Sequence, residues 1–151
     1  MSLTLSKAFI AALRTNDELM RQLGAKLKDG TLQGARLFTV ARPTVDEEKD
    51  KIPYIIIMPQ GINSDGSEDD YEETDTCVIN LLVVASEFAT GSTPGLVDLA
   101  EEVRTTIREH LSDYEGVEVN DYTFAASEVQ YDDKKPCYWQ ILTYTVNTQN
   151  S

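Results

Sequence analysis

Leu5, Ala8, Phe9, Ala12 and Leu13 recur at three- and four-residue spacing, which predicts an amphipathic helix from about residue 4. Thr15-Asn16-Asp17 interrupts the pattern. Asn16 suits the N-cap of a short second helix, Asp17–Leu23, and Gly24 its C-terminal stop. Residues 25–34 contain two more glycines and read as turns. Arg36–Arg42 sets Leu37 and Thr39 against Phe38 and Val40, a strand alternation, whereas Val45–Lys51 is charged and has no apolar period. Ile52–Gln60 and Thr76–Ser86 are apolar on both faces, as central strands are. Pro53 stands at the start of the first, where its missing N–H does least harm. Between them, Gly61–Asp75 carries seven acids and no base and reads as a loop.

Residues 87–95 form a connection ending in Thr93-Pro94, which predicts a cap and first helical residue. The helix Pro94–Leu111 follows, with Leu96, Leu99, Ala100, Val103, Ile107 and Leu111 on one stripe. Val117–Tyr131 reads as a strand, irregular in its middle, and Asp132–Pro136 as a turn. Tyr138–Asn147 is the last strand, with Trp139, Ile141 and Thr143 on one face and Leu142 and Tyr144 on the other. The order α-α-β-β-β-α-β-β groups its strands, which predicts an α+β fold rather than βαβ repeats. The expected architecture is a mainly antiparallel sheet of four or five strands, one face covered by the long helix, with an N-terminal helix pair.

The chain's 151 residues suit a single domain, 1–151. Its formal net charge is −13, which disfavours phosphate backbones and anionic membrane surfaces as partners. No apolar run approaches the ~20 residues of a membrane-spanning helix, and the start lacks a secretory pattern. Cys77 and Cys137 both sit in apolar strand patterns. Free thiols in a reducing compartment are the expected reading, with a strand-to-strand disulfide as the alternative. The charge is unevenly divided: residues 1–45 carry seven bases and three acids, residues 46–151 six bases and 23 acids. That asymmetry suits head-to-tail association between copies, or charge balance within one domain.

Little in the chain suggests catalysis. His110 is the sole histidine and falls near the end of the long helix, where interaction with the helix dipole accounts for it. One histidine and two distant cysteines make no zinc motif. Asn63, Asp65, Gly66 and Glu72 match positions of a calcium-binding EF-hand loop, but Gly61 stands where its first ligand belongs. The carboxylates of Asp69-Asp70 and Glu72-Glu73 have no pocket in the pattern to position them for acid–base work. No phosphate-binding glycine loop is present. The expectation is no enzyme activity, no cofactor and no metal.

The layout resembles the tail-terminator, or tail-completion, proteins of long-tailed bacteriophages and prophages. The pieces that carry the resemblance span most of the chain: the helix pair Ser6–Leu23, the strand Ile52-Pro53-Tyr54-Ile55-Ile56-Ile57, and the strand Cys77–Val84 beyond a polar loop. A bend at Gly91, the helix Leu96–Leu111, and a closing strand after Lys135-Pro136-Cys137-Tyr138-Trp139 complete it. The resemblance implies a structural protein of the virion tail, assembled in the bacterial cytoplasm. It implies a ring, usually a hexamer, that caps the tail tube, ends its polymerisation and joins tail to head. The implied partners are other copies of the chain, the tail-tube protein and the head–tail connector, with no specific nucleic-acid binding and no membrane. Arg36 and Arg42 are candidates for a subunit interface; Asp65, Glu68, Asp69, Asp70, Glu72, Glu73 and Asp75 are candidates for its acidic partner or a lumen lining. The alternatives are a head–tail joining or tail-tube protein, or a small ligand-binding or enzymatic α+β domain.

Overall fold

A computed structural model describes residues 2–39, 52–62, 74–86, 88–89, 94–113, 118–132 and 137–149. Two helices open the chain, α1 (Ser2–Arg14) and α2 (Asp17–Gln22). A two-stranded hairpin follows, β1 (Lys26–Lys28) and β2 (Thr31–Gln33). The main sheet has six strands: β3 (Leu37–Thr39), β4 (Tyr54–Ile62), β5 (Thr74–Ala85), β6 (Glu118–Ala126), β7 (Gln130–Asp132) and β8 (Cys137–Gln149). Between β5 and β6 lie the long helix α3 (Leu96–His110) and a 3-10 turn, Leu111–Asp113.

The fold is α+β, as the grouping of strands predicts. The strand order is β3-β4-β5-β8-β6, with β7 also pairing β8. Among the described strands only β3 and β4 run parallel, and the other pairs in this sheet are antiparallel. The sheet exceeds the expected four or five strands because the Val117–Tyr131 pattern divides into β6 and β7. Ser127 causes the division: its N–H donates to the Ile141 carbonyl (2.9 Å) and its Oγ accepts from the Ile141 N–H (3.0 Å). One residue thus occupies both backbone groups of its partner, and regular pairing resumes only at Gln130.

The predicted turn region 25–34 is the β1–β2 hairpin. Asp29 and Gly30 form its two-residue loop, both with positive φ (54° and 84°), the geometry that Asp-Gly favours between paired strands. The dipeptide, flanked by Lys26-Leu27-Lys28 and Thr31-Leu32-Gln33, was the available sequence signal. The start of α3 also differs from expectation. Helix begins at Leu96 rather than Pro94, Gly95 is the N-cap, and no side chain caps it. Thr93, the predicted cap, lies outside the described residues. The Leu96 N–H instead donates to the Ser86 carbonyl at 2.7 Å, so the end of β5 satisfies an amide that a side-chain cap would otherwise serve.

The two faces of the sheet differ. On one, Ile55, Ile57, Ile79, Leu81, Val83, Leu142, Tyr144 and Val146 join the buried stripes of α1, α2 and α3 in the main core. Phe9 of α1 meets Tyr144 edge-on, and Tyr122 and Phe124 pack against the same ring. The alternate residues of β4, β5 and β8 face the other way. Period-two alternation therefore sends two apolar sets to opposite sides, and the helices cover one of them.

Candidate functional site

The second face carries an apolar cluster of its own, made of buried and half-buried side chains. Tyr54, Ile56, Val84 and Cys137 form a cluster with Phe38, Ile52, Met58, Leu82 and Trp139. No residue of a described helix belongs to it. Register explains the grouping: Tyr54 pairs with Val84, which pairs with Trp139, and Ile56 pairs with Leu82, which pairs with Ile141. A shallow depression of about 310 Å³ lies here, lined by Tyr54, Met58, Leu82, Val84, Cys137, Trp139 and Ile141. The neighbouring row is polar, where Thr143 Oγ1 donates to Asn80 Oδ1 at 2.7 Å. A face with these side chains offers apolar contact and little means of polarising a substrate.

Register also decides the cysteine question. Cys77 pairs with Val146, nine residues along β8 from Cys137, so the two cysteines are roughly 30 Å apart. A disulfide needs Cα atoms within about 7 Å. Cys137 is buried and forms no disulfide with Cys77.

Of the sequence candidates, Arg36 is described in full. It is half-buried and tied into the chain. Its N–H donates to the Leu23 carbonyl (2.8 Å), its carbonyl accepts from Ile55 N–H (3.0 Å), and its Nε donates to the Pro53 carbonyl (2.9 Å). It joins the end of α2 to the edge of the sheet, an internal role that the alternation of Leu37 and Phe38 did not disclose. Asp75 belongs to β5, where it pairs with Thr148, rather than to the predicted loop, because β8 runs on to Gln149 and supplies the partner. Arg42, Asp65, Glu68, Asp69, Asp70, Glu72 and Glu73 lie outside the described residues, as do Asn63 and Gly66 of the calcium-loop pattern. His110 ends α3, half-buried, as its position suggested.

A second surface lies at the N-terminal end. A cleft of about 580 Å³ runs between the end of α1, α2 and the β1–β2 hairpin. Its lining includes Arg14, Arg21, Asp17, Met20 and Leu27, with Gly30–Ala35 along the hairpin side. Arg14 and Arg21 are both exposed. Among the described residues no group of three or more His, Cys, Asp or Glu side chains is placed to hold a metal, and no helix is long and apolar enough to cross a membrane.

Buried polar chemistry is sparse. The Tyr144 hydroxyl, Ser6 Oγ and Gln22 Oε1 are buried without a hydrogen-bond partner among the described residues. Burial raises the Tyr144 phenol far above its ordinary value; Tyr122 adds to the rise, and Arg104 and Arg108 oppose it. This phenol sits in the aromatic packing of the main core, away from either surface.

Neither a scan against protein-family models nor a search of curated proteins finds a match to this chain.

Proposed function

We propose that this chain is a structural subunit of a bacteriophage or prophage tail, acting as a ring of identical copies that caps the tail tube, stops its growth and joins it to the head. The observation that carries this reading is the apolar sheet face centred on Leu82, Trp139 and Ile141, which no described helix covers, on a chain of net charge −13. A strongly charged protein whose second apolar set is only half-buried at Leu82, Trp139 and Ile141 fits association better than catalysis. The order of elements supports the same reading, since a helix pair, two central strands, a long helix and a closing strand is the layout that resembles tail terminators. The division of charge supports heterologous contact, in which each copy meets the next through different surfaces; such contacts close into rings when the rotation permits.

The test is made on particles. Deleting the gene for this chain should produce tails of uncontrolled length that fail to join heads. Tails of normal length, properly attached, would reject the terminator role. Filaments formed by the purified chain would favour a tail-tube protein instead.

A further inference from the structure

We propose that strand β1 of one copy adds to the open edge of strand β7 of the next, so that the sheet continues from subunit to subunit. The proposal rests on the ring reading and names the two surfaces that meet.

Both strands are short, exposed and open on one side. Among the described strands β1 pairs only with β2, and β7 only with β8. Lys26, Leu27 and Lys28 are all exposed, and so are Glu128, Val129, Gln130 and Tyr131. Because the hairpin loop has two residues, its closing pair, Lys28–Thr31, is the hydrogen-bonded kind and the next pair, Leu27–Leu32, is not. The Leu27 N–H and C=O therefore point away from β2, toward the outer edge. An edge of this kind is a template for another strand.

The side chains of the two edges match. Among the described residues the large apolar side chains left exposed are Leu27, Phe88, Val97, Val129 and Tyr131. Leu27, 69% exposed, is the centre of β1, and Tyr131, 51% exposed, is the centre of β7. The other three lie around β7. Val129 precedes it, and Tyr131 pairs with Tyr138, which pairs with Ala85, three residues before Phe88. The Ser86 carbonyl accepts from the N–H of Leu96, the neighbour of Val97. Charge agrees as well. Residues 26–33 hold Lys26, Lys28 and one acid, Asp29, in the loop. Residues 127–132 hold Glu128, Asp132 and no base, while Lys134 and Lys135 lie outside the described residues. With Leu27 set beside Tyr131, one lysine falls beside Asp132 and the other beside Gln130, whichever way β1 runs.

Topology makes the contact intermolecular. The hairpin leads through Arg36 into β3, at one edge of the order β3-β4-β5-β8, and β7 lies beyond β8 at the other. Four strand spacings, about 19 Å, separate β3 from β7, with β4, β5 and β8 between them. Two different edges on opposite sides of one sheet make a heterologous pair, the arrangement that closes into rings. Gln130 also pairs with Trp139, so this edge adjoins the second apolar face.

The test follows self-association of the full chain by sedimentation velocity. Lys26→Glu with Lys28→Glu should weaken association roughly ten-fold or more, and so should Glu128→Lys with Gln130→Lys in a second chain. An equimolar mixture of the two should restore it, because each supplies the edge that the other requires. Leu27→Pro removes an outward N–H and no bond of the hairpin, so it should abolish association and leave a folded monomer by circular dichroism. Leu27→Val should associate as wild type does. A wild-type chain that stays monomeric overturns the proposal. So does association that survives a folded Leu27→Pro chain, or that neither charge set changes; if Leu27→Pro unfolds the chain, the charge sets decide. Overlong tails on deletion, with association indifferent to these variants, would reject this contact and keep the ring. Association lost as expected, with normal tails on deletion, would keep the contact and reject the terminator role.

Discussion

The Arg36 guanidinium lies over Gly24, so close that a Cβ at Gly24 would collide with it. Gly24 has a φ of +94°, the left-handed conformation that ends α2 and turns the chain into the hairpin. The same guanidinium holds the Pro53 carbonyl at the start of β4. One glycine thus meets two demands, a backbone conformation and a space, and the first alone would have accounted for it.

Gly24→Ala should therefore destabilise the fold by about 1–3 kcal/mol, through backbone strain and displacement of Arg36. Arg36→Met should recover part of that loss when combined with Gly24→Ala, because the collision is relieved while the strain remains. Urea unfolding of the two single variants and the double variant measures the coupling; strict additivity would show that the guanidinium is free to move aside.

Asn16 ties the helices together. Its Oδ1 accepts from the Leu19 N–H (3.0 Å), and its Nδ2 donates to Thr106 Oγ1 (3.0 Å) and Glu102 Oε2 (3.1 Å) of α3. Asn16→Ala should cost about 1–2 kcal/mol. Asn16→Asp keeps the cap but sets a carboxylate against Glu102. The repulsion disfavours the charged form of the introduced carboxyl in the folded state, so the deficit should shrink as pH falls and that acid is protonated. Thermal unfolding at pH 7 and near pH 4 checks this; a pH-independent deficit would argue against the Glu102 contact.

Tyr144 should remain protonated at pH values where exposed tyrosines ionise, near 10. Its phenol pKa is raised in the folded chain, so the unfolded state loses the proton first and stability falls as pH rises through that range. Absorbance titration of wild type against Tyr144→Phe isolates the group. Tyr144→Phe also removes a buried hydroxyl with no partner among the described residues, so its stability at neutral pH should match or exceed wild type by up to about 1 kcal/mol.

Trp139 is the sole tryptophan and stands in the apolar face that no described helix covers. Its emission should shift to the blue when copies of the chain associate, and Ile141→Lys should prevent both shift and association while leaving a folded monomer. Sedimentation and fluorescence on the same samples test this. Association without any change in emission would exclude this face from the contact.

Much of this architecture follows from local rules that operate over a few residues. The stripe from Leu96 to Leu111 specifies a helix and its buried face, since a 3.6-residue period has one side. The Asn16 cap follows from the same kind of rule, because its bond to Leu19 spans three residues. The central strands follow from β-branched residues apolar on both faces. The continuity of β4 and β5 with neighbouring strands does not, because it depends on how far β8 extends and which residues it meets. That is why Asp75 passed for loop, why Ser127 could divide a strand by binding Ile141, and why Ser86 rather than Thr93 meets the first turn of α3. The candidate surfaces divide in the same way. Charge asymmetry is a sum over the chain and was legible before folding. Which apolar set would be covered by helices was not, because β4, β5 and β8 are apolar on both sides and only helix packing chooses between them. The place of Arg36 was equally hidden: its partners Leu23, Pro53 and Ile55 lie up to nineteen residues away, and only tertiary structure brings them to the guanidinium and backbone of one residue.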